Sequence, residues 1–145
     1  MIRIERQPWQ EMVAHAEATY PNECVGIMLG TSTGTGAGGM KTVTEAARME
    51  NIHDGPKAAR YELGQKALLA ADAQARSRHL DLIGIYHSHP DCDAYFSETD
   101  LKNSCPWYSF VVISIQKQKF HHANSWLPDP DQTVAEKEEL EYGGA

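Results

Sequence analysis

The apolar and polar positions of this chain follow the period of a helix in some segments and that of a strand in others. Apolar side chains at helical spacing predict helices over residues 8–18 and 62–79. Apolar runs and alternating patterns predict strands over residues 2–4 at a sheet edge, and over 24–29, 41–49, 82–89, 110–115 and 117–126. Strands and helices in this order predict a layered α/β fold, in which a mixed β-sheet is sandwiched by helices. With 145 residues, the chain fits one domain, residues 1–145.

Two segments have weaker patterns. Residues 31–39 are rich in glycine, serine and threonine, which predicts a mobile hairpin connection. A phosphate-binding loop is rejected there, because no Gly-Lys-Ser/Thr follows the glycines. The acidic residues 134–142 give no clear secondary structure, and residues 142–145 are expected to form a frayed terminus.

Three histidines are given no role by the pattern. His15 falls on the polar side of the first helix and is expected to be solvated. His121 and His122 are neighbours in the last long strand, so they are expected to point to opposite faces of the sheet. We therefore expect that they cannot both belong to one site.

Candidate ligands for a metal are concentrated between residues 83 and 100. If residues 82–89 form a strand, His87 and His89 point to the same face, where two imidazoles can bind one ion. Pro90 ends that strand, and Ser97 is placed to cap a short helix that brings Asp100 back towards the histidines. Alone, the serine would be a simple cap and the histidines solvated or core side chains; together they predict a metal site.

Two imidazoles and one carboxylate form the ligand set of a catalytic zinc ion, whose fourth position holds water. The same set also occurs in non-haem iron oxygenases, so that chemistry stays open as an alternative. Hydrolysis needs in addition a base that takes the proton from the water. Glu23, at the start of a buried strand, is the candidate, although a carboxylate at such a position is more often an ordinary surface group.

This constellation resembles the JAMM motif of the MPN-plus metalloproteases. The matching residues are Glu23, the histidines of 87–89 and, after seven residues, Ser97-Glu98-Thr99-Asp100. The glutamate-bearing segment 21–30 and the strand 110–115 are also similar to that family. Only residues 101–109 separate the motif from the next strand, which resembles the compact prokaryotic type.

The resemblance implies a cytidine-deaminase-like fold with one zinc ion per chain. It makes His87, His89 and Asp100 the zinc ligands. It makes Glu23 the general base and acid, and Ser97 the hydroxyl that stabilises the tetrahedral intermediate. The implied activity is that of a zinc peptidase or isopeptidase that cuts after the Gly-Gly end of a ubiquitin-like or sulfur-carrier protein. A catalytically silent MPN scaffold that binds partners is the alternative.

The composition argues against several classes of partner and of site. The net charge of −7 argues against a nucleic-acid partner, and no apolar run is long enough to cross a membrane. Three irregularly spaced cysteines indicate neither a disulfide framework nor a structural zinc site, which suits the reducing cytoplasm. The thiol of Cys92, between the motif histidines and Ser97, is expected to be an ordinary loop side chain. The identity of the carrier, the kind of amide bond and the oligomeric state, with a homodimer as one option, stay open.

Overall fold

A computed structural model describes residues 1–33, 39–57 and 61–144 of the protein. Helices and strands alternate along the described part as the sequence predicts, with two additional strands near the end. In chain order they are β1 (Ile2–Glu5), α1 (Arg6–Thr19), β2 (Val25–Thr33), β3 (Met40–Met49), α2 (Gln65–Ser77), β4 (Asp81–Pro90), α3 (Glu98–Lys102), β5 (Ser109–Gln116), β6 (Lys119–Pro128), β7 (Ala135–Glu138) and β8 (Leu140–Gly144).

All of these strands form one sheet in the order β7-β6-β5-β4-β2-β3-β1-β8. Strand β1 runs parallel to β3 and β8, and β4 runs parallel to β5, whereas the other neighbours are antiparallel. The sheet is therefore mixed, as predicted. Only Glu139 lies between β7 and β8, although these strands are the two outermost ones. The sheet must therefore curl until its two edges lie close together.

The helices cover opposite faces of the sheet. Met28 of β2 belongs to the core cluster that contains Met12 of α1. Its neighbours Ile27 and Leu29 belong to a second cluster that contains Ala75 of α2. Successive side chains of a strand point to opposite faces, so α1 and α2 lie on different sides of β2. The predicted sandwich is confirmed, with α1 on the face that the strands curl around.

The close approach of β4 and β5 depends on glycine. A Cβ atom on Gly84 would collide with the carbonyl oxygen of Ser109, its partner in β5. Any other residue would therefore push these two central strands apart. Their parallel pairing continues to Pro90, which lies opposite Ile115.

The two ends of the chain differ from the prediction. Residues 2–4 are not an edge strand, because β8 pairs with β1 on the side away from β3. The frayed terminus is likewise wrong for residues 142–144, which belong to β8. Tyr142 packs its ring 4.2 Å from that of Trp9, which anchors β8 to the first helix. Residue 145 lies outside the described residues.

The prediction for His15 is wrong. Its side chain is buried, and Nδ1 lies 2.7 Å from the hydroxyl oxygen of Tyr86 in β4. The helical pattern placed this histidine on the polar side, but the curled sheet reaches around that side of α1. Burial lowers the pKa of His15 to about 4, and the charge of Arg48 acts in the same direction. The neutral imidazole is therefore a core group.

The last long strand also starts later than predicted. Lys117 and Gln118 both have positive φ angles, of 51° and 68°, and form a two-residue turn between Gln116 and Lys119. Strand β6 then has a register shift at His121, where Ser114 pairs with residue 122 and Ile115 with residue 120.

The expectation that His121 and His122 point to opposite faces is also wrong, because the register shift breaks the strict alternation of side chains. Their Nδ1 atoms lie 2.7 Å apart.

Strands β2 and β3 pair antiparallel as far as Thr33 and Met40, in agreement with a hairpin. The predicted mobile connection falls largely on residues 34–38, which lie outside the described residues. Among the residues described, no helix has both the length and the apolar character needed to cross a membrane.

Candidate active site

The two motif histidines lie near the end of β4, in the middle of the sheet. His87 pairs with Val25 of β2 and with Val112 of β5, and both histidines are buried. Because they are two residues apart in a strand, their rings leave the same face. Their Nε2 atoms are 3.2 Å apart. The predicted pairing of the two imidazoles is present.

Helix α3 brings the aspartate to the histidines. The Ser97 hydroxyl accepts a hydrogen bond from the backbone N–H of Asp100 at 3.0 Å, and Oδ2 of Asp100 accepts one from the N–H of Ser97 at 3.0 Å. This reciprocal capping box sets the start of the helix and the direction of the carboxylate. The same Oδ2 lies 3.2 Å from Nε2 of His87 and 3.3 Å from Nε2 of His89.

These three atoms form a nearly equilateral triangle. Ligand atoms about 2.0 Å from a tetrahedral zinc ion are separated from one another by roughly 3.3 Å. The sides of the triangle, 3.2, 3.2 and 3.3 Å, agree with that spacing. The donor set and its geometry therefore fit one zinc ion that has three protein ligands.

Glu23 reaches the same place from the segment just before β2. Its backbone N–H donates to the carbonyl oxygen of Lys57 at 2.6 Å, and its own carbonyl accepts from the side-chain amide of Asn51 at 3.0 Å. A carboxylate oxygen of Glu23 and one nitrogen from each of His87 and His89 all lie within 4.8 Å of one another. Its Oε1 is buried and has no hydrogen-bond partner among the described residues. The expectation of an ordinary surface group is excluded for this side chain.

The family model described as prokaryotic homologs of the JAB domain matches residues 5–128. The chain belongs to this Prok-JAB family. The match spans every segment that carries the site and confirms the resemblance to the compact prokaryotic JAMM type.

Two curated relatives of this Prok-JAB protein carry the names of enzymes. A desampylase of Haloferax volcanii is 29% identical over 109 residues, which cover 75% of this chain and 73% of the relative. A CysO-cysteine peptidase of Mycobacterium tuberculosis is 28% identical over 116 residues, which cover 79% of this chain and 74% of the relative.

Solved structures share the fold. A protein of Desulfitobacterium hafniense superposes with a TM-score of 0.82 at 26% identity, over 98% of this chain and 92% of that one. A JAB1/MPN domain protein of Archaeoglobus fulgidus has a TM-score of 0.56 at 15% identity, over 98% of this chain and 96% of that one. The second likeness concerns the fold alone.

Burial controls the protonation of the Prok-JAB site. It raises the pKa of Glu23 to about 8; the charge of His89 opposes this shift and that of Asp100 adds to it. Burial also lowers the pKa of His87, and the charge of Asp100 and a hydrogen bond with it oppose this shift. For Asp100, burial would raise the pKa, but the charge of His87 and hydrogen bonds from both histidines hold it well below its usual range. A neutral imidazole and an ionised carboxylate are the forms that bind metal.

A hydrogen bond on the Nδ1 side of its ring sets the orientation of His89. Burial lowers its pKa, but hydrogen bonds with Asp100 and with the Asp93 carbonyl outweigh this effect, and the net pKa is raised. Nδ1 of His89 lies 2.9 Å from the carbonyl oxygen of Asp93. A carbonyl can only accept, so Nδ1 carries a proton, and Nε2 is the nitrogen that faces Asp100 and would bind a metal.

A cavity of about 380 Å³ opens above the site, and Glu23, Ser97 and Asp100 all line it. Two lining residues, Tyr61 and Tyr95, were given no role from the sequence. The Tyr61 ring stacks on His87 with ring centroids 4.4 Å apart, and Tyr95 meets His89 edge-on at 4.9 Å. Tyr61 lies outside the motif and Tyr95 lies in its seven-residue spacer, whose residue types the motif does not fix, so no periodic signal marks them.

Cys92 also lines the cavity, and its side chain is exposed.

Proposed function

We propose that this protein is a zinc-dependent peptidase or isopeptidase acting on the C-terminal tail of a ubiquitin-like or sulfur-carrier protein. The observation that carries the proposal is the triangle of ligand atoms of His87, His89 and Asp100, with the unpartnered carboxylate of Glu23 beside it. The names of the two relatives, desampylase and CysO-cysteine peptidase, support a peptidase activity.

His87, His89 and Asp100 would hold one zinc ion per chain. When bound, zinc supplies a Lewis acid and lowers the pKa of a coordinated water towards roughly 7. Asp100 contributes negative charge, while its capping bonds with Ser97 keep the carboxylate from turning away. The Asp93 carbonyl keeps the proton of His89 on Nδ1, away from the ion.

Glu23 would act as general base and then as general acid. Its carboxylate takes the proton from the attacking water as the oxygen–carbon bond forms, and passes it to the leaving amine as the carbon–nitrogen bond breaks. A carboxyl with a pKa of about 8 holds a proton long enough to return it. A divalent cation nearby would lower this pKa and favour the first transfer.

Ser97 would stabilise the negative charge that develops on the carbonyl oxygen. Its hydroxyl oxygen is already engaged, because it accepts from the N–H of Asp100. The hydroxyl proton is not used in that bond and can be donated towards the cavity. The capping role therefore fixes the oxygen and leaves the donor available.

The substrate would be a thin, extended tail that ends in Gly-Gly before the scissile bond. The cavity is bordered by Pro90 and Tyr95 on one side and by Glu23 on the other. Glycines let the backbone of a tail approach the triangle of ligand atoms without a side-chain clash. We place cleavage directly after the second glycine.

The proposal also includes a single domain and a location in the cytoplasm. The family model covers 5–128, which supports one domain. The cysteines Cys24, Cys92 and Cys105 are all free, which supports a reducing compartment such as the cytoplasm.

The test combines metal analysis with cleavage of a carrier protein. We expect about one zinc per chain, since three protein ligands converge on a single point. A carrier extended beyond Gly-Gly should be cut after the second glycine, as followed by mass spectrometry, whereas versions with either glycine changed to valine should be cut far more slowly.

Equal cleavage of the valine versions would refute the substrate assignment. A zinc-bound protein that cuts neither carriers nor peptides would favour the silent scaffold. Iron with oxygen-dependent activity would refute the zinc hydrolase itself.

A further inference from the structure

The loop between β4 and α3 is held by three side chains of β6. His122 Nε2 lies 2.9 Å from the backbone nitrogen of Ala94. The side-chain nitrogens of Asn124 and Trp126 both donate to the Ala94 carbonyl oxygen at 3.1 Å. Residues 122, 124 and 126 are alternate positions of one strand, so all three leave the same face. Ala94 itself is completely buried. We call these three residues the β6 clamp.

The clamp is linked to the candidate metal site through a single peptide group. The carbonyl of Asp93 and the N–H of Ala94 belong to the same planar unit. On one side the carbonyl accepts from Nδ1 of His89, and on the other side the N–H donates to Nε2 of His122. Because the unit is rigid, a rotation of the peptide moves both hydrogen bonds at once.

This arrangement determines two tautomers. The amide of Ala94 can only donate, so Nε2 of His122 must be an unprotonated acceptor. The carbonyl of Asp93 can only accept, so His89 must carry its proton on Nδ1. Nε2 is then the nitrogen of His89 that faces the candidate metal site, 3.3 Å from Oδ2 of Asp100.

We propose that the β6 clamp positions His89: it fixes the ring orientation and the tautomer of this histidine through the Asp93–Ala94 peptide. The consequence for metal binding rests on the proposed function. The residues of the clamp are not among the candidate ligands and do not line the cavity, so they are positioning residues. Without these residues, the loop would lose the hydrogen bonds with β6 that restrain the orientation of the Asp93–Ala94 peptide.

Two variants at one position separate the acceptor from the ring. His122→Phe keeps a flat side chain against the loop but removes the acceptor, whereas His122→Gln restores an acceptor in its amide oxygen. Lys119→Phe is the control, because Lys119 is an exposed residue of the same strand and does not contact the loop or His122 through a side-chain hydrogen bond among the described residues. Circular dichroism and unfolding of the metal-free proteins establish that each variant folds.

The first readout needs no metal. Long-range nitrogen–proton NMR spectra of the metal-free protein report which imidazole nitrogen of His89 is protonated, with His89→Gln to assign the signal. We expect a protonated Nδ1 of His89 in the unchanged protein, in His122→Gln and in Lys119→Phe, and a partly unprotonated Nδ1 in His122→Phe. An unaltered His89 signal in folded His122→Phe would overturn the proposal, as would an equal change in Lys119→Phe.

The second readout is zinc affinity, measured by competition with a chelator. Loss of a partner that orients a metal-binding histidine typically weakens affinity by 10–100-fold, and we expect about tenfold weaker binding for His122→Phe, with His122→Gln close to the unchanged protein. Unchanged affinity in His122→Phe would refute the consequence for the metal. If the unchanged protein binds no zinc while His122→Phe still alters the His89 tautomer, the proposed function fails and the positioning role stands.

Discussion

Glu23 and Glu138 are buried to nearly the same degree, with 5% and 7% of their surface exposed, but they lie in different surroundings. Oε1 of Glu138 accepts from the hydroxyls of Ser109 at 2.7 Å and Ser125 at 2.9 Å. Its Oε2 accepts from Lys41 at 3.2 Å. Glu23, in contrast, has a buried oxygen with no partner among the described residues.

The difference separates a buried carboxylate with hydrogen-bond and ion-pair partners from one that lacks them among the described residues. Burial of a charge costs free energy unless hydrogen bonds and an opposite charge compensate it. Around Glu138 these compensations are complete, and they join strands β3, β5, β6 and β7 near the point where the sheet edges approach each other. Around Glu23 they are incomplete, so its pKa is raised to about 8 and a proton can be exchanged there.

The largest effect should come from Glu23→Gln. The amide cannot accept the proton of the attacking water, so kcat/KM should fall about 10³-fold, while zinc content stays near one per chain. His87→Ala and Asp100→Ala should instead lose both zinc and activity, because each removes a ligand. Zinc analysis beside peptidase assays separates the two classes. A Glu23→Gln protein with undiminished activity would contradict the assignment of the base.

Stability should respond in the opposite way at the two glutamates. Lys41→Met removes the nearer of two cations from the buried carboxylate of Glu138, at 3.2 Å, and leaves the N-terminal ammonium of Met1 at 3.6 Å. It should lower the free energy of unfolding by about 2 kcal/mol. Adding Glu138→Gln should restore much of this loss, because a neutral amide can still accept from the two serines. Urea unfolding of the metal-free proteins measures both values.

Glu23→Gln should leave the unfolding free energy unchanged or raise it, since a neutral amide replaces a buried carboxyl whose Oε1 has no partner among the described residues. A destabilisation by Glu23→Gln as large as that by Lys41→Met would erase the distinction between the two sites.

The pH dependence of unfolding tests His15, which, like Glu138, is buried and has a hydrogen-bond partner. The unfolded chain binds a proton at this histidine below about pH 6.5, whereas the folded protein does so only near pH 4. Stability from this group is therefore present at pH 7 and falls as the pH falls, by about 2 kcal/mol at pH 4.5. In metal-free protein, His15→Gln should show a pH dependence that is shallower by this amount. Parallel curves would contradict the buried neutral form.

The smallest effect is expected for Cys92→Ser. The thiol lines the cavity but is exposed and lies outside the triangle of ligand atoms. Activity and zinc content should therefore stay within about twofold of the unchanged protein, in line with other surface substitutions. An inactive, zinc-depleted Cys92→Ser protein would show that the thiolate takes part in metal binding.

The local parts of the site could be predicted from the sequence. A strand places residues two apart on one face, so His87 and His89 had to be neighbours once β4 formed. A serine three residues before an aspartate at a helix start predicts the capping box that turns Asp100 inwards. Both features depend on contiguous residues, and their geometry is set by backbone periods that hold in any fold.

Only the tertiary structure decided which distant residues complete these parts. The burial of Glu23 beside the histidines depends on the pairing of β2 with β4. The contact of His122 with the loop depends on a bulge in β6, and the solvated position expected for His15 ignored a sheet that curls around α1. The last two strands were missed because their short acidic segments become strands only where β6 and β1 offer free edges. A periodic pattern specifies which face a side chain leaves, but strand order and register specify what it meets there.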